Sequence, residues 1–241
     1  MTNRFHFPAI IGHRGVKAHA PENTLASFSL AAEAGLQWVE IDTTLCGSGE
    51  CVVIHDDTLT RCSNGQGNVY QQTLADLSQL DAGSWFSNRF QGERIPSLQQ
   101  GLKHIDNLGL ALNLEIKTYH HAPQVMAQAV YKELQQAHFS RPLLISSFCH
   151  QTLAALRALS SELAIGILFE DLPADWLTIA QQLNAVSIHC DAQLLTQAQA
   201  DEVTAKQYPL LCYTVNQAGQ AKELWAWGVT SVFSDDPQAL L

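Results

Sequence analysis

Short apolar runs recur along the chain, and most are followed by a stretch in which apolar residues return at helical spacing. The first run, Pro8 to Ile11, leads through Gly12-His13-Arg14-Gly15 and a loop to Pro21-Glu22-Asn23-Thr24. Asn23 is expected to cap a helix from Thr24 to Ala34, which stops at Gly35. A second strand is predicted from Gln37 to Thr43, completing a strand–helix–strand unit. After residue 96 the alternation is regular. Strands are predicted at 110–116, 143–146, 163–169, 185–188, 210–215 and 229–233. Helices are predicted near 97–107, 123–136, 151–159, 174–182, 192–205 and 217–227, with a short last one from Pro237. Between these regions, residues 57–95 are rich in Gly, Ser, Asn and Gln and hold only a short helical stretch near Leu74 to Leu80.

Eight strand–helix units over 241 residues predict a single α/β domain spanning 1–241, a closed (β/α)₈ TIM barrel. Segment 57–95 reads as a small insertion after the second strand. A doubly wound open sheet fits less well, because it has fewer units and no G-x-G-x-x-G follows the first strand.

The second strand changes the picture. Glu40 and Asp42 stand two residues apart, so on a strand both carboxylates leave the same face, with Cα atoms roughly 6–7 Å apart. Val39 and Ile41 take the other face. Beyond a turn at Gly47-Ser48-Gly49, the apolar run Cys51 to Ile54 delivers His55-Asp56. Two like charges on one face cost free energy unless a positive group lies between them, and a hard divalent cation with oxygen ligands is the simplest remedy. The plainer reading is a pair of solvated acids on an outward face.

Composition removes several function classes. The chain carries 23 acidic and 13 basic residues, a net charge of −10, and no basic run. Nucleic acid and anionic membrane surfaces are therefore not expected as partners. The six cysteines form no C-x-x-C pair, which argues against a zinc ribbon or redox motif and suits small buried hydrophobes in a reducing compartment. The first residues lack the apolar core of a signal peptide, and no apolar run approaches the ~18 residues of a membrane span. A cytoplasmic location is expected. Oligomeric state is not legible.

Active sites of such barrels form at the C-terminal ends of the strands. His13 and Arg14 fall there after the first strand, Glu40 and Asp42 on the second with His55 beyond, and Glu115 and Lys117 on the third. Ser146, Ser147 and Phe148 follow on the fourth, His189 after the sixth, Tyr213 and Asn216 at the seventh, Ser234 and Asp235 after the eighth. Taken singly each has a bland explanation; together they suit phosphoester chemistry. The three acids offer hard oxygen ligands for Mg²⁺ or Ca²⁺. Arg14 and Lys117 suit phosphate oxygens. His13 and His55 suit general acid and base. His189 and Tyr213 divide evenly between pocket lining and packing. Glu22 and Asn23 read as loop and cap residues, Asp235 or Asp236 as the cap of the last helix, and Asp56 as a turn residue or a hydrogen-bond partner for an imidazole.

In order along the chain, Gly12-His13-Arg14-Gly15, Pro21-Glu22-Asn23-Thr24, Val39-Glu40-x-Asp42, Val52 to Asp57, Leu114 to Lys117 and Tyr213 to Asn216 resemble the glycerophosphodiester phosphodiesterase family. Within it, residues 81–86 and 186–189 are most similar to the cytosolic bacterial enzymes of glycerol-3-phosphate uptake. The resemblance implies a barrel with an insertion after its second strand. It also implies hydrolysis of glycerophosphodiesters, as small-molecule substrates, to sn-glycerol 3-phosphate and an alcohol. It assigns one divalent cation, Mg²⁺ or Ca²⁺, to Glu40, Asp42 and Glu115, acid/base roles to His13 and His55, and the phosphate to Arg14 and Lys117. Cys46 to Gly49 depart from the family's common Thr-Lys-Asp-Gly turn, and Tyr213 stands where many members carry Trp. A lysophospholipase D-like enzyme or another phosphodiesterase on the same barrel is the alternative, and the absence of a basic amphipathic helix weighs against a lipid substrate.

Overall fold

A computed structural model describes residues 6–240. Strands β1 (Ile10–Gly12), β2 (Trp38–Leu45), β4 (Ala111–Ile116), β5 (Leu143–Ser147), β6 (Ala164–Phe169), β7 (Ser187–Asp191), β8 (Leu210–Tyr213) and β9 (Ser231–Ser234) run parallel. They close into a (β/α)₈ barrel through the pairing of β1 with both β9 and β2. The intervening strand β3 (Cys51–Val53) was legible only as an apolar run. It folds back antiparallel on β2, pairing Thr43 with Val53 and Leu45 with Cys51. Gly49, at φ 92°, supplies the left-handed turn between them.

Both faces of the barrel strands are buried, which is why they read as near-continuous apolar runs. The outward faces, such as Val39 and Ile41 of β2 and Leu112 and Leu114 of β4, pack beneath the helices in one large core. That shell includes α1 (Leu25–Glu33), α2 (Leu98–Leu108), α3 (Pro123–Ala137) and α4 (His150–Leu159). The inward residues Ile11, Trp38, Ala111, Leu144, Ala164, Leu211 and Phe233 join Phe7 in a second apolar cluster. Strand periodicity then places Glu40 and Asp42 on the face of Trp38, and Asn113 and Glu115 on the face of Ala111. The interior thus passes from apolar to charged along the strand direction, and the β2–β4 register sets Glu40 beside Asn113 and Asp42 beside Glu115.

Two local expectations change. Asn23 is not the helix cap: it sits at φ 59°, outside the helix, and Thr24 accepts the Ser27 N–H as N-cap of α1. The sixth barrel strand runs on to Asp191, so Ser187 and His189 lie on β7 rather than after it. Segment 57–95 packs Leu59, Val69, Leu77, Ala82 and Ile95 against Val52 and Ile54. Asp81 pins it by accepting backbone N–H groups from Gly83, Ser84 and Gly92, each at 2.8 Å, and these bonds hold its carboxyl below the usual range.

Gly166 of β6 makes room for His189: a Cβ there would stand 2.5 Å from His189 Nε2. Gly166→Ala is expected to cost about 1–3 kcal/mol by overpacking. Urea denaturation checks this; a variant as stable as the parent would show that the imidazole moves aside freely.

Candidate active site

A cavity of ≈ 220 Å³ opens at the C-terminal ends of the strands, lined by His13, Arg14, Glu40, His55, Glu115, Lys117, His189 and Tyr213. Asp42 is fully buried beside them, and ligand oxygens of Glu40, Asp42 and Glu115 all lie within 4.8 Å of one another. Asn113, Leu168 and Phe233 complete the wall, while Phe148 stands half-exposed at the mouth, its ring edge-on to Tyr213 at 5.8 Å.

The acids are held from several directions. Asp42 Oδ2 accepts from Asn23 Nδ2 at 2.8 Å, and the Asp42 backbone N–H donates to Asn23 Oδ1 at 3.1 Å. The left-handed backbone of Asn23 is therefore spent on this clamp. Glu40 Oε2 accepts the Arg14 backbone N–H at 2.8 Å. Lys117 Nζ pairs with Glu115 and lies 3.2 Å from Asp42 Oδ1. The Arg14 guanidinium donates to Glu22 Oε1 at 2.7 Å and lies 3.3 Å from Asp42 Oδ2.

Each of the two histidines is backed by a carboxylate. His13 Nδ1–H donates to Asp235 Oδ1 at 2.6 Å, and His55 Nδ1–H donates to Asp56 Oδ1 at 2.7 Å. A carboxylate only accepts, so each contact places the proton on Nδ1 and leaves Nε2 free to exchange one. Asn216 Nδ2 donates to Asp235 Oδ2 at 3.0 Å, fixing that carboxylate in turn. Burial lowers both imidazole pKa values, against the pull of their carboxylates. Burial takes His189 further down, to about 3, so it is a neutral group; its Nε2 meets Ser187 Oγ at 2.9 Å, and its Nδ1 has no partner.

Burial and the neighbouring Asp42 and Glu115 charges push Glu40 well above the usual carboxylate range. Burial also lifts Glu115 to about 7, although Lys117 opposes it. Burial works the same way on Asp42, but Lys117, Arg14 and His55 outweigh it and hold Asp42 below its ordinary value. Glu40 Oε1 is buried without a partner, and Asp42 Oδ1 is buried with no contact but the Lys117 ammonium at 3.2 Å. Three clustered carboxylates, one with an orphaned oxygen, fit a hard divalent cation.

Several residues of this site escaped the sequence reading. Of the two candidate caps of the last helix, Asp236 does the capping, accepting from the Ala239 N–H at 3.3 Å, while Asp235 holds His13. Glu22, taken for a loop residue, is buried and grips Arg14 and Arg61. Asn113 projects a buried, unpartnered Oδ1. Its clue was the i, i+2 spacing to Glu115. Arg61 lay in a segment read only for its composition, and gave no local signal. Tyr213 Oη donates to the Phe169 carbonyl at 2.8 Å, so its hydroxyl proton is already committed within the wall.

Among the described residues, no helix is long and apolar enough to cross a membrane. A family model described as the Glycerophosphoryl diester phosphodiesterase family matches residues 13–239. A glycerophosphodiester phosphodiesterase of Caldanaerobacter subterraneus subsp. tengcongensis is 32% identical over 233 residues, 96% of each chain. One from Bacillus subtilis is 29% identical, covering 94% of this chain and 83% of its own. The structure of an Oleispira antarctica phosphodiesterase in complex with the product sn-glycerol-3-phosphate superposes with a TM-score of 0.92 at 38% identity, covering 97% of this chain and 95% of that one.

Proposed function

The chain belongs to the glycerophosphoryl diester phosphodiesterase family and is a phosphodiesterase hydrolase, and on that premise we propose a metal-dependent hydrolysis with histidine acid/base catalysis. The substrate is a glycerophosphodiester, cleaved to sn-glycerol 3-phosphate and an alcohol. The observation that carries the reading is the meeting of two carboxylate-backed imidazoles, three acids, an Arg and a Lys on one cavity.

Arg14 and Lys117 bind the non-bridging phosphate oxygens and orient phosphorus between the two imidazoles. One imidazole accepts the proton of the attacking hydroxyl at its Nε2. The other, protonated, gives a proton to the departing alcohol oxygen as the P–O bond breaks. Asp235 and Asp56 stabilise whichever ring is charged. His189 and Tyr213 shape the wall against the substrate. Glu40, Asp42 and Glu115 would hold a Mg²⁺ or Ca²⁺ ion, which when bound supplies positive charge against the phosphoryl oxygens. The small cavity suits a small-molecule diester, and the net charge of −10 weighs against docking on an anionic membrane surface.

The test is an assay of purified protein on glycerophosphocholine, glycerophosphoethanolamine and acylated lysophospholipids. Release of sn-glycerol 3-phosphate with the free alcohol is expected from the first two. Turnover confined to the acylated substrates would overturn the assignment.

A further inference from the structure

Arg61 lies in segment 57–95, outside the barrel strands, yet its guanidinium makes four hydrogen bonds to two carboxylates of the site. Its Nη1 donates to Glu22 Oε2 at 2.7 Å and its Nη2 to Glu22 Oε1 at 2.9 Å. Its Nε donates to Asp56 Oδ2 at 2.6 Å and Nη2 also to Asp56 Oδ1 at 2.8 Å. These are the same carboxylates that act on the cavity. Glu22 Oε1 also accepts from Arg14 Nη1, and Asp56 Oδ1 also accepts from His55 Nδ1. One planar fork therefore fixes two acceptors that face different functional groups, and among the described residues no other side chain hydrogen-bonds to both.

We propose that Arg61 is a positioning residue that sets His55 and Arg14 together, acting through Asp56 and Glu22. The inference rests on the acid/base reading of His55 given above. The chemistry is that of a bidentate guanidinium. Asp56 is a short side chain on a turn, with one oxygen on His55 and rotation about Cα–Cβ and Cβ–Cγ free to break that contact. Two hydrogen bonds from a rigid fork remove that freedom, and hold the carboxylate plane where it can accept from Nδ1. This in turn keeps the His55 proton on Nδ1 and Nε2 bare. On the other side, Glu22 is buried, with Arg61 and Arg14 as its two cationic partners. Loss of Arg61 leaves Glu22 to Arg14 alone and draws that guanidinium away from the cavity. A Lys at 61 offers a point charge: it can reach one carboxylate well, but cannot fork both.

A segment outside the barrel thus reaches the active site. Arg61 supplies no reacting atom; it is the strut between the acceptors of a phosphate-binding arginine and an acid/base imidazole.

Arg61→Ala and Arg61→Lys test it in the full chain. Arg61→Ala is expected to lower kcat about 10–100-fold, the usual cost of removing an orienting partner, and to raise KM through Arg14. Arg61→Lys is expected to recover part of the KM loss and little of kcat. The second measurement needs no activity: ¹⁵N-histidine NMR should show His55 as the Nδ1–H tautomer in the parent and as a mixture with Nε2–H in Arg61→Ala. A purely structural strut would change thermal stability and leave the tautomer alone. Arg61→Ala with parental kcat and an unchanged His55 tautomer overturns the proposal. Should the parent fail to cleave glycerophosphodiesters, the proposed function falls, while the tautomer still reports whether Arg61 governs His55.

Discussion

A His13→Ala protein is expected to turn over glycerophosphodiester about 10²–10⁴-fold more slowly than the parent, and His55→Ala likewise, the range for loss of a positioned acid or base. Both should remain folded. Removing the His13 ring leaves Asp235 held by Asn216, with Lys17 Nζ 3.9 Å away, and removing the His55 ring leaves Asp56 on Arg61. Neither carboxylate is stranded, so Tm should fall by no more than about 4 °C, equivalent to ~1 kcal/mol at this chain length. A glycerophosphodiester with a p-nitrophenol leaving group separates the two roles. That leaving group departs without a proton, so the variant lacking the acid regains most of its rate, and the one lacking the base does not. Either variant working at the parental rate on the natural substrate refutes the acid/base pair.

Glu40→Gln carries the second large effect. The change keeps the shape and removes one of three carboxylates within 4.8 Å of each other. Electrostatic stabilisation by a bound cation is worth several kcal/mol in the transition state, so a loss of about 10³-fold or more is expected, matched in the parent by EDTA and reversed by Mg²⁺ or Ca²⁺. A binding readout stands beside the activity. At an ion concentration about 100 times Kd the parent gains ~2.7 kcal/mol, hence about 5–10 °C in Tm, and Glu40→Gln gains far less. Full turnover in excess EDTA, with no ion-dependent shift in Tm, would remove the cation from the mechanism.

The barrel was legible because each strand is buried on both faces, and a run such as Leu163 to Phe169 has no polar residue to blur it. The acids were legible for a related reason. Glu40 and Asp42 stand two apart on β2, Glu115 stands two before Lys117 at the end of β4, and a charge within a buried strand is conspicuous. What stayed hidden depends on contacts between distant parts of the chain. Asp235 follows a strand and precedes a short helix, a place where Asp commonly caps. Only the closing of β9 against β1 brings it to His13. Arg61 sits among Gly, Ser and Asn in a segment without period, and its four hydrogen bonds run to residues 5 and 39 positions away. Asn23 was misread as a cap because its side chain suits that task. Its actual partner, Asp42, arrives with the next strand.

The His13–Asp235 contact spans 222 positions of sequence, joining the first barrel strand to the last. During synthesis His13 emerges before the other residues of the cavity and Asp235 after them. A growing polypeptide therefore carries most of the cavity wall, including all three acids, well before its first imidazole gains its anchor. On the proposed mechanism, competence waits for β9, since the strand that seals the cylinder also delivers the carboxylate that orients the ring.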